Sequence, residues 1–238
     1  MESDWKKISW QMTTERVGTS AGCFLVYERI TKTGYMNHKS KTEIGEDIDE
    51  ECTIQPAGCG EEEIKEIAQY CHTNKAVCLN SATACLASIL RLQGIGPGDE
   101  VITSAYTFTA SASSVCYVGE KLVLVDVQKD SYEMDYELLG NAVIERAKAI
   151  ILVDLGGVVC DYEKLYKITN RQKNKFHPNG PIQEAFGRGA VVTDAAYVFG
   201  ARRKMDGDWK MCGEIADFTS FSFHAVNVFE TESQRFDL

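Results

Sequence analysis

From Glu61 onward, short apolar runs alternate with segments of helical spacing, separated by little more than glycine, proline or a capping aspartate. That alternation restricts the chain to an α/β fold: a mostly parallel sheet with helices on both faces. Glu61 to Cys71 places Ile64, Ile67, Ala68 and Cys71 on one helical face, and Ala76 to Leu79 is a short apolar strand. Thr83 to Leu92 predicts an apolar helix stopped by Gly94 and Pro97-Gly98. A strand at Glu100 to Thr103, a helix from Ala110 to Val118 and a Val- and Leu-rich strand from Lys121 to Val127 follow. Asp135 is an N-cap for a helix to Ala147, and Lys148 to Leu155 reads as a strand buried on both faces. Asp161 caps a helix to about Thr169. Lys173 to Gly189, with two prolines and three glycines, predicts a surface connection around a short helix. Ala190 to Asp194 is the next strand, Asp206-Gly207 a turn, and Phe218 to Phe223 a last apolar strand.

Residues 1–60 are of another kind. Thr31 to Glu51 is polar, clusters its charges and has no clear period, so this divergent segment is expected to be poorly ordered. Residues 61–238 form the folded domain. A net charge of -10 argues against a nucleic-acid or anionic-membrane partner, since phosphate backbones need a basic face. Nine cysteines without a Cys-x-x-Cys pair suit a reducing compartment, each read as a small core hydrophobe. The amino terminus leads into no apolar stretch, and Asp154 interrupts the greasiest run, Ala149 to Val159, which predicts a cytoplasmic protein without a membrane span.

Ligands of an open parallel sheet collect beyond the carboxyl ends of its strands. Asn80-Ser-Ala-Thr-Ala84 falls there, with small residues at a helix N-terminus where free amides favour an anion such as phosphate; Ser and Thr are also simply good caps. Asp194 ends its strand before two alanines, so its carboxylate needs a cationic partner in a confined crevice, or else is a helix cap or a salt bridge to Arg202 or Arg203. Phe108 can stack on a flat ring or belong to the core. Ser222 and His224 share one face of the last strand while Phe221 and Phe223 share the other. His38, His72 and His177 lack companions at metal-ligand spacing, so no metal is expected.

These pieces resemble the DegT/DnrJ/EryC1/StrS family of sugar aminotransferases. The resemblance rests on Leu79-Asn-Ser-Ala-Thr-Ala, on Gly94 through Ala110, on Tyr117-Val-Gly and on Val125-Asp. Further on it rests on Val192-Thr-Asp-Ala-Ala, Phe199-Gly-Ala, Gly213-Glu-Ile-Ala-Asp-Phe and Phe221-Ser-Phe-His-Ala-Val. It implies the large domain of the type I fold of pyridoxal-phosphate enzymes, that of aspartate aminotransferase. It also implies transfer of an amino group from glutamate to a nucleotide-linked keto sugar, in polysaccharide or secondary-metabolite synthesis, and a homodimer or association with a relative. By the same resemblance Ala82, Thr83 and Ser222 hold the cofactor phosphate, Phe108 stacks on its ring, Asp194 pairs with the ring nitrogen, and Tyr197 stands near the phenolic oxygen.

The chain departs from the family after Val226. Asn227 stands where the family has the lysine that forms the Schiff base, and an amide nitrogen is neither nucleophilic nor basic. The family's small C-terminal domain is not recognisable before Leu238, nor its usual opening within residues 1–60. The expectation is therefore an incomplete large domain, inactive and holding pyridoxal phosphate noncovalently at best, or a non-catalytic remnant or binding module.

Overall fold

The computed structural model describes residues 23–27, 61–73, 75–79 and 81–223, with the backbone alone at 23–27 and 61–63. Its strands are β1 (Cys23–Tyr27), β2 (Lys75–Leu79), β3 (Glu100–Ser104), β4 (Lys121–Val125), β5 (Ala147–Val153), β6 (Ala190–Asp194), β7 (Arg202–Met205), β8 (Asp208–Met211) and β9 (Phe218–Ser222). Its helices are α1 (Glu61–Tyr70), α2 (Ala82–Leu92), α3 (Thr109–Tyr117), α4 (Tyr136–Ala142), α5 (Tyr162–Arg171) and α6 (Pro181–Phe186).

Seven strands form one sheet in the order β2-β1-β9-β6-β5-β3-β4, and β7 pairs with β8 in a separate hairpin. The neighbours from β9 to β4 are parallel, while β1 runs antiparallel to both β2 and β9. The fold is the mostly parallel α/β sheet expected. From the predicted poorly ordered stretch, the segment 23–27 lies within this sheet, between β2 and β9.

Every residue of β5 is buried, and its alternation decides which layer each side chain joins. Ile150 and Leu152 enter a core with Ile67 of α1, Leu139 of α4 and Leu165 of α5. Ala149 and Ile151 point the other way, toward Leu86, Ile89 and Leu90 of α2 and Val115 of α3. Burying each such Leu, Ile or Val side chain contributes about 1.5–3 kcal/mol, so two covered faces hold the sheet far more firmly than helix propensity could. Of the six cysteines whose side chains are described, five are buried thiols, as small core residues should be; Cys116 is exposed.

The caps fall where the sequence put them. Asp135 accepts from the amides of Glu137 and Leu138, and Asp161 from that of Lys164. The helix opened by Asp135 is shorter than expected, because the backbone leaves helical geometry at Val143 and β5 already starts at Ala147. Asp206 and Gly207 both have positive φ, 51° and 92°, the twist that closes a two-residue hairpin.

Residues 173–189 are less superficial than their composition suggests, because Arg188 is 3% exposed. It forms a two-pronged pair with the fully buried Asp217 at 2.7 and 2.8 Å. Asp217 also accepts from the amide of Val191, so the pair fastens the entrance of β9 to that of β6. The far ends of those two strands carry Asp194 and Ser222.

Candidate functional site

Asp194 closes β6 and is buried, at 5% exposure. Its carboxylate accepts a hydrogen bond from the Ser111 hydroxyl at 2.6 Å and a longer one from the Ala196 amide at 3.3 Å. No cationic side chain pairs with it among the described residues: Arg203 is engaged with Glu133 and Asp161, and Arg202 Nε points to the Met211 sulfur. The salt-bridge alternative for Asp194 therefore drops out. Burial pushes its carboxyl above the usual range, opposed by the Ser111 and Ala196 bonds. A buried anion with neutral partners is the environment that a positively charged ligand atom relieves.

The start of α2 lies on the same edge of the sheet. Ser81 is its N-cap, with its hydroxyl accepting from the Ala84 amide and its carbonyl from that of Cys85. This leaves the amides of Ala82 and Thr83, the first two helical residues, without a partner among the described residues, as a helix start does. Ser220 Oγ donates to the Ala82 carbonyl at 3.3 Å and so ties this helix end to β9, where Ser222 is buried. Unpaired amides at a helix start, together with the macrodipole, favour an anion.

Phe108 is not core: it is the N-cap residue of α3 and 64% exposed. Beside it in sequence, Tyr106 stacks on Tyr132 with ring centres 5.0 Å apart. Tyr197 is half-buried in the turn after β6. Phe221 and Phe223 share a face, both packing edge-on against Phe199. Asn80, His224 and Asn227 lie outside the described residues.

Sequence reasoning missed Thr107 and Ser111. The Thr107 hydroxyl lies 2.7 Å from that of Ser111, which is fully buried. Two small hydroxyl residues four apart at a helix entrance were the available signal.

A second buried carboxylate, Asp154, sits on the neighbouring strand end, its amide donating to the Asp194 carbonyl at 3.0 Å. It accepts from the Cys160 amide, the Tyr162 hydroxyl and the Cys212 thiol, and burial raises its pKa to about 6. A carboxyl raised on folding contributes stability below its unfolded value, and that contribution is lost as pH rises through the folded one. From about pH 4 to 7 the native chain is therefore expected to lose on the order of 2–3 kcal/mol relative to Asp154→Asn. Thermal melting of both proteins across that range checks it; a constant difference between the two would remove Asp154 as the cause.

No helix among the described residues is long and apolar enough to cross a membrane. Among them, no group of three or more His, Cys, Asp or Glu could hold a metal ion.

The chain is 33% identical over 167 residues to GDP-perosamine synthase from Caulobacter vibrioides, covering 70% of this chain and 40% of that protein. It is 36% identical over 137 residues to a UDP-2-acetamido-2-deoxy-3-oxo-D-glucuronate aminotransferase from Pseudomonas aeruginosa, covering 58% and 33%. Among solved structures it superposes on Spr1654 from Streptococcus pneumoniae, named as a sugar aminotransferase, with TM-score 0.67 and 47% identity, over 70% of this chain and 41% of that one. Spr1654 has been solved in pyridoxal-phosphate and pyridoxamine-phosphate forms. The chain thus spans about two fifths of the length of such relatives. The large-domain fold of type I pyridoxal-phosphate enzymes is shown by these superpositions. The matching family model runs over residues 60–233, through every described element from α1 to β9, and the chain belongs to the DegT/DnrJ/EryC1/StrS aminotransferase family.

Proposed function

We propose that this chain carries the cofactor cradle of an aminotransferase for nucleotide-linked keto sugars, with glutamate as amino donor, and holds pyridoxal phosphate without a covalent bond. The observation that carries the reading is Asp194: a buried carboxylate lacking a cation among the described residues, on the same sheet edge as an open helix start. Relatives matched over the same residues are named for amino-sugar synthesis on GDP and UDP carriers.

Each residue has a definite task. Asp194 stabilises a protonated ring nitrogen by charge and hydrogen bond. The amides of Ala82 and Thr83, with the Ser222 hydroxyl, hold the phosphate. Phe108 offers an exposed ring face for stacking, and Tyr197 a hydroxyl for the phenolic oxygen. Bound there, the cofactor supplies an electron sink for proton removal beside an amino nitrogen.

Asn227 argues that turnover stops in this chain, because no amine stands at that sequence position to bond the cofactor or carry the proton. Binding without catalysis, alone or beside a second copy or a longer relative, is the reading this substitution favours. Exposed Tyr106 and Tyr132 suit such an association, and the thiols suit the cytoplasm.

Titration with pyridoxal phosphate, followed by borohydride reduction and peptide mass mapping, tests both halves. Saturable binding that is reversed by gel filtration and leaves no single lysine stoichiometrically modified is expected, and Asp194→Ala should weaken it on the order of tenfold. A stoichiometric adduct on one defined lysine would overturn the noncovalent reading, and absence of binding would overturn the cradle.

A further inference from the structure

The side chains beneath Asp194 form a directed chain of hydroxyls. We infer that Ser111, itself held by Thr107, is a positioning residue for Asp194: it aims the carboxylate and keeps it ionised. This inference rests on the cofactor reading above for its purpose, though not for its geometry.

A hydroxyl has one proton to give, and an ionised carboxylate only accepts. With Ser111 Oγ 2.6 Å from Asp194 Oδ2, the serine proton is committed to the carboxylate. The 2.7 Å contact between Thr107 Oγ1 and Ser111 Oγ must then run from threonine to serine. Donation into Ser111 polarises its own O–H, so the two bonds reinforce each other, most strongly at a buried site. The 2.6 Å separation lies in the range of charge-assisted O–H···O bonds. Ser111 is fully buried on the first turn of α3, so its hydroxyl is shielded from bulk solvent. The same α3 start carries Phe108, which couples the stacking position to the carboxylate through one helix turn.

Other titratable groups do not do this work. Asp154 directly follows β5, but it meets Asp194 through its amide, and its own carboxylate is taken up by Cys160, Tyr162 and Cys212. Tyr162 of α5 reaches the preceding Thr193 at 2.6 Å. The Ala196 amide is the other donor to the carboxylate, at a longer 3.3 Å.

The deciding measurement is the carboxyl carbon-13 titration of Asp194 by NMR in the full chain without cofactor. Ser111→Ala is expected to raise its midpoint by roughly one pH unit, Thr107→Val by less, and Ser111→Thr hardly at all, since threonine keeps the hydroxyl. An unchanged midpoint in Ser111→Ala overturns the inference; should that variant not fold, Thr107→Val decides by the same sign. A second readout compares pyridoxal phosphate with its analogue in which carbon replaces the ring nitrogen. Ser111→Ala should weaken the first on the order of tenfold and the second not at all, because only the first presents a charge to Asp194. Equal weakening of both would mean a general packing defect and sink the idea. If the native chain binds neither compound, the cofactor reading fails, while the titration still decides whether Ser111 governs Asp194.

Discussion

Replacing Arg188 by alanine is expected to destabilise the chain by about 3–5 kcal/mol, a large share of the roughly 5–15 kcal/mol that holds a domain together. The guanidinium is 3% exposed, and its two prongs meet a fully buried Asp217. It also donates to the Gly189 carbonyl at 2.9 Å and lies 4.8 Å over the Tyr166 ring. Truncation removes the countercharge and leaves the buried Asp217 carboxylate its bond from the Val191 amide but no guanidinium. Removing both charges is a different case: Arg188→Met with Asp217→Leu should recover most of the loss, because the pair's attraction is largely spent on its own desolvation. Urea unfolding of the three proteins measures this. A loss below about 1 kcal/mol in Arg188→Ala would mean that water reaches Asp217. The consequence would extend to the site, since the strands that this pair registers end in Asp194 and Ser222.

Asn227→Lys is expected to change the cofactor chemistry more than any other single substitution. It returns to the chain the Schiff-base group that the family pattern places there, a primary amine after Phe221-Ser-Phe-His-Ala-Val. With pyridoxal phosphate, the variant should gain a visible absorbance band and, after borohydride, a near-stoichiometric adduct mapped to position 227. The native chain treated identically should show neither. A variant that binds cofactor as reversibly as the native chain, with no adduct at that position, would show that this segment is not placed over the ring.

Much of the fold was legible because parallel strands buried on both sides are written as unbroken apolar runs. Ala190 to Asp194 and the body of β5 could be read for that reason, as could the caps Asp135 and Asp161, whose bonds reach only two or three residues. The end of α4 was not legible, because Val143 and Ile144 satisfy a helical apolar period as well as a pre-strand turn; the core contact of Val143 is what settles it. The β7–β8 strands were hidden for a related reason. Arg202 to Lys204 is too charged to read as strand, and only the Asp206-Gly207 turn announced the hairpin.

The site divides along the same line. Its candidate residues stood out locally: an aspartate ending an apolar strand, small residues opening a helix, an aromatic after a strand. Their partners did not. Ser111 lies 83 residues from Asp194, and Arg188 lies 29 from Asp217. By itself the sequence determined the layered α/β fold, the family and the missing lysine, since these depend on period, order and residue identity along the chain. Only the tertiary structure decided that Cys23–Tyr27 lies between β2 and β9, that Arg188 neutralises Asp217, and that Asp194 answers to Ser111 rather than to an arginine. Those choices are made by desolvation and hydrogen-bond matching between distant segments, which no local pattern encodes.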